Sequence, residues 1–341
     1  MIRTVFAAVL LLAAPARAEV PIQEVTSPGG ITAWLVEDHN IPFTALELQF
    51  KGGSSLEAPD KRGVVNLMTA TLEEGAGEMD SKAFAEARDA LAAGISFDSG
   101  ADSVGVSAKF LTENRDQAIE LMRAALVNPR FDQDAVDRVR EQVLSNLRAN
   151  EKDPGTLASE KFDALAFGDH PYATTGDGTI ETVTKLTRDD VVAAHKAALA
   201  RDRVFVAASG DITAEELKPK LDLVFGSLPA TSTLPVVQDA APLPAPEQPI
   251  VKELPQPQTL IMFSGPGIRR DDPDFYAAYV LNYILGGGAF SSRLTDDVRE
   301  KRGLTYGIGT ALSIQPHMWR WQGSSSTMND KAGEVVELIR E

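Results

Sequence analysis

The sequence has no cysteine and only four histidines in 341 residues. Without cysteine the fold has no disulfide, so its stability must come from its core. A cysteine nucleophile is excluded for the same reason, and neither a GxSxG motif nor a P-loop occurs. The histidines are so far apart that no two have metal-ligand spacing: His39, His170, His195 and His317.

Positive charge is also scarce. The chain has 33 lysines and arginines against 49 aspartates and glutamates, a formal net charge of −16. A surface of this sign argues against nucleic acid and against anionic membranes as partners. It mildly favours basic peptides, although most of the charge belongs to an ordinary soluble surface.

A long apolar run occurs only near the N-terminus, from Val5 to Ala14, between Arg3 and an Ala-Arg-Ala sequence at 16–18. This pattern is typical of a secretory signal peptide with its cleavage site. The run is too short to span a bilayer. We therefore predict a signal peptide at 1–18 and a periplasmic or secreted mature chain without a membrane span. A retained N-terminal anchor is the alternative.

Strand and helix patterns divide the rest of the chain into two parts. Residues 19–230 form the first part, a proline-rich stretch at 231–257 indicates a stiff linker, and residues 258–341 form the second. The second part repeats the element order of the first, and Gly94–Phe97 (GISF) matches Gly303–Tyr306 (GLTY) at an offset of 209 residues.

The repeat predicts an α+β fold of two related domains, each a mainly antiparallel sheet with packed helices. By the same offset the second domain is incomplete, which indicates a fragment or a natural truncation.

The most distinctive stretch is the glycine-rich segment at 286–306, GGGAFSSRLTDDVREKRGLTY. Ser291 or Ser292 is placed to cap a short helix that a glycine ends before the next strand. Arg299 on this helix and Tyr306 on the strand are placed to point into one cleft. The alternative is a solvated arginine beside a half-buried tyrosine, with no chemical role.

Two motifs resemble those of the pitrilysin/insulinase family of zinc peptidases, the inverzincins. One is VREKRGLTY at 298–306, preceded by SSRL, and the other is RGVVNLMTA at 62–70, followed by TLEEG. The resemblance covers most of the chain, including HPY at 170–172 and the two-copy layout. It implies that the two domains form one half of a clamshell.

The signature of this family is H-x-x-E-H on a helix, whose histidines bind zinc and whose glutamate is the general base. The matching positions here are Asn66, Thr69 and Ala70, and the place of a third ligand holds Asn146 or Leu147. None of these side chains can replace a zinc ligand or the base. The chain itself is therefore predicted to hold no metal and no other cofactor.

Family members without this signature are commonly one subunit of a heterodimer. The resemblance implies a homologous partner subunit that binds the zinc, whose cleft Arg299 and Tyr306 complete by hydrogen-bonding the substrate carbonyl and its oxyanion. Peptide substrates would lie as an added strand at a sheet edge. On this hypothesis the chain is inactive alone and active in the complex. The alternative is a structural or peptide-binding protein of the same fold that takes no part in proteolysis.

The signal peptide gives a first testable prediction. We expect the exported protein to begin at Glu19, because the small residues at 16 and 18 suit a signal peptidase. Mass spectrometry of the protein recovered from the producing cells measures this. An intact Met1 in a membrane-associated protein would mean that the segment is an anchor instead.

Overall fold

The structure, a computed structural model, describes residues 20–241 and 246–341. The signal peptide predicted at 1–18 lies outside the described residues. Within these ranges no helix is both long and apolar enough to cross a bilayer.

The first domain contains a six-stranded sheet and a separate two-stranded hairpin. The six strands are Gln23–Thr26 (β1), Thr32–Glu37 (β2), Phe43–Lys51 (β3), Gly94–Ser99 (β6), Ser103–Leu111 (β7) and Val204–Gly210 (β8), and the hairpin pairs Gly75–Ala76 (β4) with Met79–Asp80 (β5). The order across the six-stranded sheet is β1-β2-β8-β3-β7-β6. Neighbours are antiparallel except β2 and β8, which run parallel.

Alternation of apolar and polar residues explains how this sheet packs. On β3, Leu46, Leu48 and Phe50 are at most 4% exposed, whereas Glu47 and Gln49 between them face solvent. A strand of this pattern buries one face and leaves the other wet. The buried face forms one core with the helices of the domain.

Eight helices belong to the first domain as described. They are Val64–Thr71 (α1), Ser81–Ala90 (α2), Arg115–Val127 (α3), Gln133–Asn150 (α4), Pro154–Phe167 (α5), Ile180–Lys185 (α6), Arg188–Ala198 (α7) and Ala214–Phe225 (α8). The helix α1, which carries the Asn66, Thr69 and Ala70 positions, packs against α4 and α7.

The second domain repeats the centre of the first. Its strands are Gln258–Pro266 (β9), Thr305–Gln315 (β10) and Met318–Met328 (β11), its helices are Phe275–Asn282 (α9) and Ala332–Arg340 (α10), and wider π-helical turns occur at 283–287 and 295–300. The sheet order β10-β11-β9 is the order β6-β7-β3 of the first domain, again all antiparallel. The prediction of two related, mainly antiparallel α+β domains is confirmed.

The two domains meet at the tip of the β10–β11 hairpin. Arg320 on β11 forms an ion pair with Asp163 on α5 at 3.0 Å, and its guanidinium lies 4.8 Å from the ring centroids of both Phe162 and Phe167. Met318 is buried against Phe167. Burying a methionine side chain contributes about 1.5–3 kcal/mol, so apolar packing adds to the partly buried ion pair at this contact.

The proline-rich stretch at 231–257 contains no helix or strand in the parts that the structure describes. It is nevertheless held by both domains. Arg203 donates to the carbonyl of Leu234 at 2.6 Å, and the amide of Ala240 donates to the carbonyl of His317 at 2.8 Å. The described part of the linker is therefore hydrogen-bonded to each of the two domains.

Several short elements were not predicted from the sequence. These are β1, the β4–β5 hairpin and α6. The sequence pattern predicts Ser81 as the N-cap of α2, and this is wrong: the side chain of Asp80 accepts the helix amide of Ala83 at 2.8 Å. A carboxylate one position earlier satisfies the same orphan N–H group equally well, so sequence alone does not separate the two caps.

The buried carboxylate of Glu57 accepts backbone amides at the start of α1. Glu57 has a side chain that is 1% exposed and accepts the amides of Gly63 at 3.0 Å and Val65 at 2.7 Å. Burial raises the pKa of Glu57 to about 7, while these hydrogen bonds and Arg62 act in the opposite direction. This carboxyl group fixes the direction in which α1 leaves the preceding loop.

Glu57 gives a prediction for stability against pH. Between the unfolded pKa near 4.5 and the folded value of about 7 the native state binds more protons, so this group lowers stability as the pH rises. The free energy of unfolding of Glu57→Gln relative to wild type should therefore increase from pH 4.5 to 7, by up to about 1.4 kcal/mol per pH unit. Urea titrations across this range measure it. A difference that does not change with pH would contradict the prediction.

Candidate functional site

The H-x-x-E-H positions lie on α1, and their polar groups are bonded locally. Thr69 is 3% exposed, and its hydroxyl lies 3.1 Å from the carbonyl of Val65 and 3.0 Å from that of Asn66. Asn66 donates its side-chain amide to the carboxylate of Asp177 at 3.3 Å. Ala70 is exposed and offers no donor atom. These side chains can hold the helix in place but cannot activate a water molecule.

A glycine-containing loop packs over the start of α1. Gly63 has φ +91°, and a Cβ there would lie 2.6 Å from the carbonyl oxygen of Asp177. Gly178 has φ +81°, and its Cβ would lie 2.5 Å from the carbonyl oxygen of Arg62. Only glycine permits both the left-handed backbone and this close approach. This close packing places Asp177 within hydrogen-bonding distance of Asn66.

The expected place of a third ligand lies on α4. Leu147 is 8% exposed and belongs to the core, so it cannot face a metal site. Asn146 is exposed, and its side-chain oxygen accepts a hydrogen bond from Gln142 at 3.1 Å. Of the two positions, Asn146 is the one that could present a ligand.

Two neighbouring carboxylates after α1 have structural partners. Glu73 pairs with Arg88 on α2, and Glu74 pairs with Arg138 on α4. Across residues 20–241 and 246–341 no group of three or more His, Asp or Glu side chains is arranged to hold a metal ion.

Arg299 lies on the π-helical turn at 295–300 of the second domain. Its guanidinium pairs with Glu300 and lies over the ring of Phe290, 4.7 Å from the ring centroid. Its side chain is 31% exposed. Glu300 thus pairs with one edge of the guanidinium and the ring of Phe290 covers one face. The remaining N–H groups are available to other acceptors.

Tyr306 lies in a β-bulge at the start of β10. The register of β10 against β11 shifts between Thr305 and Ile308, so Tyr306 and Gly307 lie opposite the single residue Ser326. A bulge of this kind re-aims a side chain. Tyr306 is 90% exposed, whereas the alternative interpretation of this stretch expected a half-buried tyrosine.

The first domain lacks this bulge at the matching place. Strand β6 pairs with β7 in regular register from Gly94 to Ser99, and Phe97 is only partly exposed and packs on the core. The two copies therefore differ in backbone as well as in side chain. Arg299 precedes and Tyr306 follows the chain turn at 301–304, and the described residues show no hydrogen bond between them.

Three site features were not found from the sequence: the loop carrying Asp177, the bulge, and Phe290 beneath Arg299. Gly307 inside a strand pattern was an available signal for the bulge. The other two depend on contacts between segments, for which the sequence holds no local signal.

Comparison with known protein families assigns both parts of the chain. Residues 32–178 match the model described as insulinase, peptidase family M16, and residues 185–341 match the model described as peptidase M16 inactive domain. The crystal structure of a peptidase M16 inactive domain from Pseudomonas fluorescens is 30% identical, with a TM-score of 0.85 over 94% of this chain and 77% of that one. The chain belongs to the M16 peptidase family.

Curated relatives divide into non-peptidases and proteases. A protein named non-peptidase homolog YmxG from Helicobacter pylori is 27% identical over 80% of this M16 chain, which spans 62% of that relative's length. An uncharacterized zinc protease from Mycobacterium leprae is 24% identical, over 93% of this chain and 71% of its own. A protease structure from Helicobacter pylori, 17% identical with a TM-score of 0.78, shares the fold.

The inactive-domain match and the name of the non-peptidase relative support a non-catalytic M16 member. The side chains at the signature positions on α1 agree with this, since they neither coordinate zinc nor act as a base at neutral pH.

The degenerate site gives a prediction about metal binding. The wild-type protein and the triple variant Asn66→His, Thr69→Glu, Ala70→His should both lack a tightly held zinc ion, because the third ligand is missing. Adding Asn146→Glu should give the variant about one zinc per chain. Metal analysis after dialysis against a weak chelator measures both. Stoichiometric zinc in the triple variant would place the third ligand elsewhere.

Proposed function

We propose that this chain is the non-catalytic subunit of an exported heterodimeric zinc peptidase. Its second domain supplies Arg299 and Tyr306 to the cleft of a homologous partner subunit, which carries the zinc. The complex degrades or processes peptides, and the chain alone does not.

One contrast between the two copies carries this proposal. The signature positions of the first domain carry no group that binds zinc or acts as the base, whereas the second domain presents a phenol that is 90% exposed and a guanidinium that is partly exposed. An aromatic side chain held this far from the core contributes nothing to folding through burial. Binding of a partner subunit to this surface would explain why the phenol is exposed.

The chemistry of the pair suits a role opposite a metal. Hydrolysis at zinc builds negative charge on the substrate carbonyl oxygen, and donors held in advance stabilise that charge. A guanidinium offers several N–H groups in a fixed plane, and a phenol offers one O–H. Neither group needs to change protonation during the reaction.

A backbone-driven mode of peptide binding is part of the proposal. Among the described residues β10 is an edge strand paired with β11, and its regular ladder begins at Ile308, two residues after Tyr306. An extended peptide added to such an edge is held through its main chain, with little demand on its sequence. The N-terminal segment supports the further proposal that the complex is exported, to the periplasm or out of the cell.

The test uses the chain together with the zinc-bearing subunit that co-purifies with it from the producing cells. Arg299→Ala or Tyr306→Phe should lower kcat of the assembled complex, because a donor to the transition state is lost. Loss of one such donor typically costs about 10²–10³ in kcat. Peptide turnover by complexes confirmed intact by size-exclusion chromatography gives the measurement.

Phe97→Tyr is the matched control, since it changes the corresponding position of the first domain. It should leave kcat within about twofold, because that copy faces no zinc. If both second-domain variants keep kcat/KM within about twofold of wild type, the pair is structural and a non-proteolytic binding role takes its place.

A further inference from the structure

Phe290 is a large apolar side chain without a place in the core. It is 72% exposed and follows three glycines in the segment that leads to Arg299. Exposing a phenylalanine gives up the stabilisation that its burial would contribute. Its contact is the guanidinium of Arg299, whose central carbon lies 4.7 Å from the ring centroid. This separation is within the range of a cation–π interaction.

The loop that carries Phe290 is pressed against the rest of the domain. A Cβ on Gly286 would lie 2.5 Å from the hydroxyl oxygen of Thr310, and one on Gly287 would lie 2.5 Å from the side-chain nitrogen of Asn282. Any larger residue would therefore push the loop outward. The glycine run here serves close packing, and this fixes where the next residues lie.

Serine hydroxyls hold the loop from its other side. Ser291 donates to the carbonyl of Gly288 at 2.8 Å, and Ser292, which is fully buried, donates to the carbonyl of Ala289 at 2.9 Å. Ala289, whose carbonyl accepts the hydroxyl of Ser292, has φ +47°. This left-handed conformation costs a non-glycine residue about 1–2 kcal/mol. Strain of this kind persists where the surroundings impose it and is common at functional sites.

We propose that Phe290 is a positioning residue for Arg299. The ring supports one face of the guanidinium and Glu300 engages one edge, so the remaining N–H groups point in a fixed direction before substrate arrives. The proposal rests on the role given to Arg299 in the proposed function. Preorganised donors stabilise a developing charge better than mobile ones, because no ordering remains to be done during the reaction.

The contact itself is tested on the isolated chain by nuclear magnetic resonance. In protein labelled with ¹⁵N-arginine, Arg299→Lys assigns the Nε–Hε signal of Arg299 by its disappearance. A proton above an aromatic face is shifted upfield, so Phe290→Leu should abolish the upfield shift and Phe290→Trp should keep it. An Arg299 signal that is the same in wild type and Phe290→Leu would overturn the proposal.

The consequence for activity is tested in the complex with the zinc-bearing subunit. Phe290→Leu should lower kcat about two- to fivefold with KM little changed, which corresponds to an exposed cation–π interaction. Phe290→Tyr and Phe290→Trp should restore kcat, since each supplies a ring face. Tyr279→Leu, which removes a ring from the exposed side of α9, is the control and should change neither kcat nor the Arg299 signal.

The outcomes separate this inference from the proposed function. If Arg299→Ala has no effect on kcat, the role given to Arg299 in the proposed function fails, and the positioning role that depends on it fails as well. If Arg299→Ala lowers kcat but Phe290→Leu does not, Arg299 acts without its ring and only the present inference is overturned. Equal losses in Phe290→Leu and Phe290→Trp would also overturn it, because an aromatic ring at this position would then not be sufficient to support Arg299.

Discussion

The contact between Arg320 and α5 determines how the two domains of this chain are joined. The guanidinium lies between two phenylalanine rings and pairs with Asp163, and Met318 beside it fills an apolar pocket. The linker at 231–257 has no regular structure of its own in its described part, so it cannot set an angle between the sheets. Because the second domain carries Arg299 and Tyr306, the direction in which these residues face relative to the first domain depends on the contact between β11 and α5.

The two domains show how one arrangement of strands and helices tolerates different sites. In the first, Asn66 and Thr69 form hydrogen bonds within α1 and to the Asp177 loop, so the helix that carries the signature elsewhere in the family is here only part of the core. In the second, a bulge and a strained loop bring Tyr306 and Phe290 to the surface. The signature helix of the first copy thus belongs to the core, whereas the second copy exposes the side chains of the candidate site.

The sequence predicted elements whose residues carry a local period, and it failed where distant segments meet. The alternation of apolar and polar residues along 43–51 predicts a half-buried strand, and β3 has these bounds. The parallel pairing of β2 with β8 joins residues about 170 positions apart, and no local pattern encodes it. Arg299 and Tyr306 were found as site candidates from a motif, but the ring beneath Arg299 was not. That contact arises from loop geometry imposed by glycine packing and serine hydrogen bonds.

The bulge at Tyr306 also affects the exposed sheet edge of the second domain. An edge strand with a continuous row of free N–H and C=O groups is a template on which another sheet can grow. In β10 the extra residue opposite Ser326 twists the start of the strand and interrupts that row. Two long strand edges therefore cannot join in register along its full length. The distortion that turns one side chain outward thus also guards a cysteine-free, exposed sheet against aggregation.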